Sequence, residues 1–121
     1  MPKMMETEFG QIFIADEVIA TVAGMAAMDS YGLVGMASRR QVKDSLSEWL
    51  GRDNPGRGVE VHMSGDEGTV ELYIIVSYGI NIYEVAQNVR EKVRYVLNRA
   101  VGIDVGRVNI YVQGVKITAE R

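Results

Sequence analysis

The chain has 121 residues, no cysteine, one histidine, and a formal net charge of −3 from 13 basic and 16 acidic side chains. That length fits one domain with one core, and 47% hydrophobic with 24% charged residues is a globular composition. Disulfides, thiolate metal sites and cysteine nucleophiles are excluded, and the overall charge attracts neither nucleic acid nor anionic lipid.

Residues 1–8 carry no apolar signal core and are expected to be a flexible N-terminus. Residues 10–15, "GQIFIA", alternate as a short strand. Asp16 is expected to cap a first helix over residues 16–29. Within it, "VIATVAGMAAM" (18–28) has Thr21 as its one polar residue. The run is too short to span a bilayer, so no direct membrane insertion is expected. A helix apolar all round must be covered all round. Ala20 and Gly24 put small residues four apart, and Met25 and Met28 extend the apolar surface. Two readings follow: internal burial between a sheet and a second helix, or an interface for self-association or partner docking through Ala20, Gly24, Met25 and Met28.

Residues 33–37, "LVGMA", form a second short strand. "SRRQ" (38–41) has capping-box spacing and opens a second helix with Val42, Leu46, Trp49 and Leu50 on one face, ending at Gly51. "RDNPGRG" is a turn-rich loop. Val59, Val61 and Met63 alternate with Glu60, His62 and Ser64, and residues 65–68 make a four-residue hairpin turn. The returning strand sets Val70, Leu72, Ile74 and Val76 against Glu71, Tyr73, Ile75 and Ser77.

The strand stops at Tyr78-Gly79, and a third helix begins. Asn81 and Glu84 have capping-box spacing, and Ile80 and Val85 occupy the hydrophobic-staple positions. One glycine with capped amides reads as a joint rather than a phosphate loop. The helix repeats apolar residues from Ile82 to Ala100, ends at Gly102 with Ile103 folding back toward Leu97, and a last strand covers residues 107–115. Arg90, Lys92, Arg94 and Arg99 crowd its second half, with Arg107 beyond. They complement the helix dipole or bind an anionic partner. Tyr73, Ile75 and Tyr111 are expected on the exposed sheet face, as strand formers or, for the tyrosines, as a contact surface. Base stacking there is the minority reading, because no ribonucleoprotein motif accompanies them.

Catalytic constellations are absent from the pattern. His62 has no second histidine for a metal pair or relay, and no spacing of carboxylates or serines demands acid–base or nucleophilic work. No enzyme activity, cofactor or metal is expected. A pocket gathering His62 with two acids would reverse that expectation.

"GQIFIADEVIATVAGMAAMDSYGLVGMAS", "GRGVEV" and "LYIIVSYGINIYEVAQNVREKVRYVLNRAVGIDVGRVNIYVQGV" resemble the alkaline shock protein family of Gram-positive bacteria over residues 10–117. Tyr31-Gly32 and "YIIVSYG" are similar to its short housekeeping branch, and the chain ends at Arg121 without the charged tail of longer, stress-induced members. The resemblance implies a cytoplasmic α+β protein without known catalytic residues, linked to envelope stress and homeostasis. It also implies self-association and membrane contact through a separate anchoring protein. The expected architecture is one small α+β domain over residues 1–121, an antiparallel or mixed sheet with about three helices mainly on one face. The alternative function is nucleic-acid binding through the basic cluster and the sheet tyrosines.

Overall fold

A computed structural model describes residues 3–37, 57–64 and 67–117. Strand β1 (Lys3–Thr7) pairs antiparallel with β2 (Gly10–Ile14). Helix α1 (Asp16–Met28) and strand β3 (Leu33–Met36) follow. Then come β4 (Val59–Ser64), β5 (Glu67–Ser77), helix α2 (Ile82–Ala100) and β6 (Val105–Lys116). The expected α+β class holds, with two helices among the described residues. The second expected helix, at residues 38–51, lies outside them.

β5 is the centre of the main sheet. β4 runs antiparallel to its first half, from Val59↔Leu72 to Ser64↔Glu67, and β3 runs antiparallel to its second half. Both occupy the same edge and meet at Tyr73, whose carbonyl accepts from Ala37 N–H and whose N–H donates to Gly58 C=O, both at 2.8 Å. The chain therefore leaves the strand line after Ala37 and rejoins it at Gly58. Gly58 has φ +82°, and a β-carbon there would lie 2.3 Å from Ala37 O, so only glycine fits this junction. β6 runs parallel to the other edge of β5, as a strand–helix–strand crossover allows. The sheet is thus mixed.

The inward faces of β5 and both helices make one core. Val70, Leu72, Ile74 and Val76 meet Ile19, Ala23 and Ala27 of α1 and Val85, Val89, Val93 and Leu97 of α2. Burying each such Val, Leu or Ile side chain stabilises the fold by about 1.5–3 kcal/mol. Both helices thus pack on one face, as the alternation of β5 predicts.

Local chemistry explains most boundaries. Asn81 Oδ1 accepts from Glu84 N–H at 3.0 Å, so α2 begins at the expected cap. At its end, Gly102 N–H donates to Leu97 O and Asn98 O, and Ile103 joins Leu97 in the core. Tyr78 N–H donates to Lys116 O at 2.9 Å and Gly79 has φ +93°, so this turn is the expected joint.

Four boundaries depart from expectation. Residues 3–7, assigned to a flexible terminus, form β1; Thr7 Oγ1 accepts from Phe9 N–H and donates to Gly10 O across the connection. Asp16 is the first helical residue and Ala15 the cap, without a side-chain bond; Asp16 and Glu17 instead favour the helix dipole from its first turn. The β4–β5 pairing closes at Ser64↔Glu67, so two residues join the strands rather than four. β6 starts at Val105 because Gly106 is an extra residue that breaks the alternation.

Candidate functional site

α1 has two apolar stripes of different fate. Ile19, Ala23, Gly24, Ala26 and Ala27 are buried. Gly24 therefore serves a contact inside the fold rather than an outward one, and Ala20 is half-buried. The opposite stripe faces out: Val18 is 48% exposed, Met25 59% and Met28 45%. Of the four residues singled out on this helix, Met25 and Met28 lie on the outward surface, and Val18 joins them. At the helix end, Lys92 Nζ of α2 lies 2.7 Å from Asp29 Oδ2. That hydrogen bond, with the ammonium charge, holds the Asp29 carboxyl below its ordinary value.

Tyr73 and Tyr111 are directly paired across β5 and β6 on the face turned away from the helices. Their rings stack, with centroids 4.8 Å apart and planes 12° from parallel. Tyr73, expected to be exposed, is buried, because the Ala37–Gly58 junction flanks it on one side and Tyr111 on the other, whereas Tyr111 stays exposed. Both hydroxyls donate to Glu71, Tyr73 at 3.4 Å and Tyr111 at 3.5 Å. Glu71 stands opposite Glu60, a like-charge pair that costs energy by itself. His62 Nε2 lies 3.8 Å from Glu60 and 3.9 Å from Glu71, so it softens that repulsion whenever it is protonated. His62 is thus gathered with two acids, whose ligand atoms lie within 4.8 Å of one another. The gathering sits on a strand surface, with the His62 side chain 62% exposed. Sequence spacing placed Glu60 and His62 on one face, but Glu71 comes from the next strand, and only the register brings it there.

The basic cluster divides. Arg90 and Arg94 line a groove between α2 and β6 together with Arg107. Arg99 turns away: its guanidinium lies over the Tyr95 ring at 5.6 Å and donates to Tyr95 Oη at 3.1 Å. One part of the groove, about 390 Å³, is lined by Tyr83, Gln87, Arg90, Asn109 and Tyr111 among others. A second part, about 320 Å³, shares Arg90 and Asn109 and adds Arg94 and Arg107. Among the described residues, no carboxylate lines either part. Sequence reading missed this groove because it depends on β6 running parallel to β5.

No helix among the described residues is long and apolar enough to cross a membrane. Comparison with known proteins supplies the lineage. The chain is 54% identical over 114 residues to the uncharacterized protein YloU of Bacillus subtilis, covering 94% of this chain and 95% of the relative. It is 38% identical over 120 residues to the uncharacterized protein Spy1614 of Streptococcus pyogenes, covering 99% of each. With the uncharacterized protein YqhY of Bacillus subtilis it shares 32% identity over 111 residues, 92% of this chain and 81% of the relative. No solved structure matches. Residues 4–117 match the alkaline shock protein 23 family, whose description is of a cell envelope-related function, and the chain belongs to that family.

Proposed function

We propose that the chain is a non-enzymatic interaction protein of the cytoplasmic side of the cell envelope. It assembles with copies of itself and with envelope-related protein partners, one of which anchors it to the membrane. The observation that carries this reading is the outward stripe of α1, Val18, Met25 and Met28, three large apolar side chains aligned on a surface helix. Exposing such a stripe to water costs free energy, and covering it with another apolar surface removes that cost. The envelope-related description of the family supplies the setting.

Light scattering across a concentration series tests it. The native chain is expected to form particles larger than one chain, and Met25→Glu together with Met28→Glu to shift them toward the monomer with unchanged circular dichroism. A native chain that stays monomeric at high concentration removes the main support.

The grouping of Arg90, Arg94 and Arg107 along one groove favours a second reading, nucleic-acid binding. Against it, Tyr73 is buried and spends one ring face on Tyr111. RNA titration at two salt concentrations separates the readings, since phosphate binding weakens steeply with salt. Absence of binding at low salt ends this one.

A further inference from the structure

We infer that the groove between α2 and β6 is a docking site for an extended acidic peptide, which adds to the sheet as a further strand. This names a partner chemistry for the protein-binding role proposed above and rests on that reading, but it uses a surface separate from the outer stripe of α1.

Three observations converge. The first is the edge. β6 pairs with β5 on one side, and among the described residues no strand pairs with its other side. Every second residue of such a strand directs its N–H and C=O outward, and only another backbone pairs with that whole row. The second is the wall. Tyr83, Gln87, Arg90 and Arg94 recur at helical spacing along α2 and face the groove whose floor is Val108 to Tyr111 and Gly106 to Asn109. Gln87 donates to Tyr83 Oη at 3.1 Å and accepts from Arg90, so these side chains are held along the rim. The third is charge. Arg90, Arg94 and Arg107 line the groove, no carboxylate among the described residues does, and the protein as a whole is acidic. The complement is a segment carrying carboxylates.

Spacing sharpens the chemistry. Residues four apart on a helix are separated by about 6 Å along its axis. Alternate residues of a strand, which share a face, are separated by about 6.5–7 Å. A peptide lying along β6 therefore presents carboxylates to Arg90 and Arg94 when its acids alternate with other residues. Adjacent acids point to opposite faces, and only one of the two meets the arginines. Backbone pairing gives affinity here, and the arginines select the partner. A nucleic acid satisfies the guanidinium groups but leaves the strand edge unpaired, so the peptide is the better occupant.

The test uses the full chain and short capped peptides followed by fluorescence anisotropy, with amide exchange of β6 recorded in parallel. One peptide alternates Glu with Val; a control groups the same residues in blocks. Two more carry N-methyl groups on one or the other set of alternate amides. Oligouridylate of equal charge is the competing probe. The alternating peptide is expected to bind, to protect β6 amides, and to weaken about ten-fold or more with Arg90→Glu and Arg94→Glu. The block control is expected to bind less tightly, and one N-methyl register to abolish binding while the other is tolerated. Equal binding of both N-methylated peptides, or tighter binding of oligouridylate, overturns the proposal in favour of a general anion surface. Protection of β6 that rises with protein concentration alone overturns it in favour of a second copy at the edge. Because both arginines are exposed and belong to α2 rather than to the outer stripe of α1, light scattering of the same double variant shows separately whether self-association stands.

Discussion

Tyr73 and Tyr111 sit directly opposite each other on β5 and β6, with their rings stacked at 4.8 Å. The pair bridges the parallel half of the sheet, where backbone pairing is slightly weaker than in an antiparallel ladder. Tyr111→Ala is expected to destabilise the fold by about 1–2 kcal/mol, from the lost stack and lost apolar area. Tyr111→Phe keeps both and loses a 3.5 Å contact to Glu71, so it is expected to stay within about 0.5 kcal/mol of the native chain. Urea midpoints measure both. Equal losses in the two variants would show that the hydroxyl, not the stack, matters.

Gly58 and Gly79 both have positive φ, +82° and +93°, but only Gly58 is crowded. Gly79→Ala is expected to cost about 1–2 kcal/mol, the conformational term alone. Gly58→Ala adds the collision with Ala37 O, which is backbone and has nowhere to move; a loss of about 3 kcal/mol or more is expected. Denaturant titration of both variants decides the matter, and similar midpoints would contradict the tight junction at Tyr73.

Helices α1 and α2 begin differently, and mutation should reveal it. Asn81→Ala removes the bond to Glu84 N–H and is expected to cost about 1 kcal/mol. Ala15 caps α1 with extended backbone angles, φ −70° and ψ 152°, but no side-chain acceptor. Ala15→Ser or Ala15→Asp supplies one and is expected to raise stability by about 0.5–1 kcal/mol. Thermal unfolding reads both signs, and a destabilising Ala15→Ser would contradict the extended cap geometry.

Lys92 lowers the Asp29 carboxyl through a 2.7 Å hydrogen bond and its charge. A depressed carboxylate contributes stability above its unfolded value, and the contribution is lost as pH falls through the folded one. The dependence therefore lies below about pH 4, and it is small because Asp29 is exposed. In an NMR titration of the side-chain carboxyl carbons, the Asp29 midpoint is expected to fall below that of an ordinary aspartate. Lys92→Met is expected to raise it, and added salt to shrink the difference. An unchanged midpoint in Lys92→Met would remove the pair.

Local signals were legible and non-local ones were not. The Asn81 cap, the Ile80–Val85 staple and the Gly102 stop lie within a few residues of the turns they control, so spacing revealed α2 entire. The alternation of β5 revealed its buried face for the same reason. "KMMET" has no period of two and no Asn-Gly turn after it, so β1 left no pattern. The extra residues Gly106 and Gln113 shift the period of β6, which hid its first residues and carried Val115 into register with Val76. Arg90 and Arg94 were visible as a cluster; that they face a strand edge, and that Arg99 does not, follows from a crossover that no local pattern encodes. The second expected helix falls outside the described residues and stays an expectation.

The junction at Tyr73 has a consequence for how the edge opposite β6 is closed. Ala37 and Gly58 are held to one residue of β5 by one hydrogen bond each, so whatever joins them starts and finishes at neighbouring points. Those two bonds set no length for it, and the entropy of closing such a span grows only with the logarithm of that length. The edge opposite β6 thus carries a port, where the chain departs from and returns to one residue of β5 and the flanking registers are set by β3 and β4 themselves.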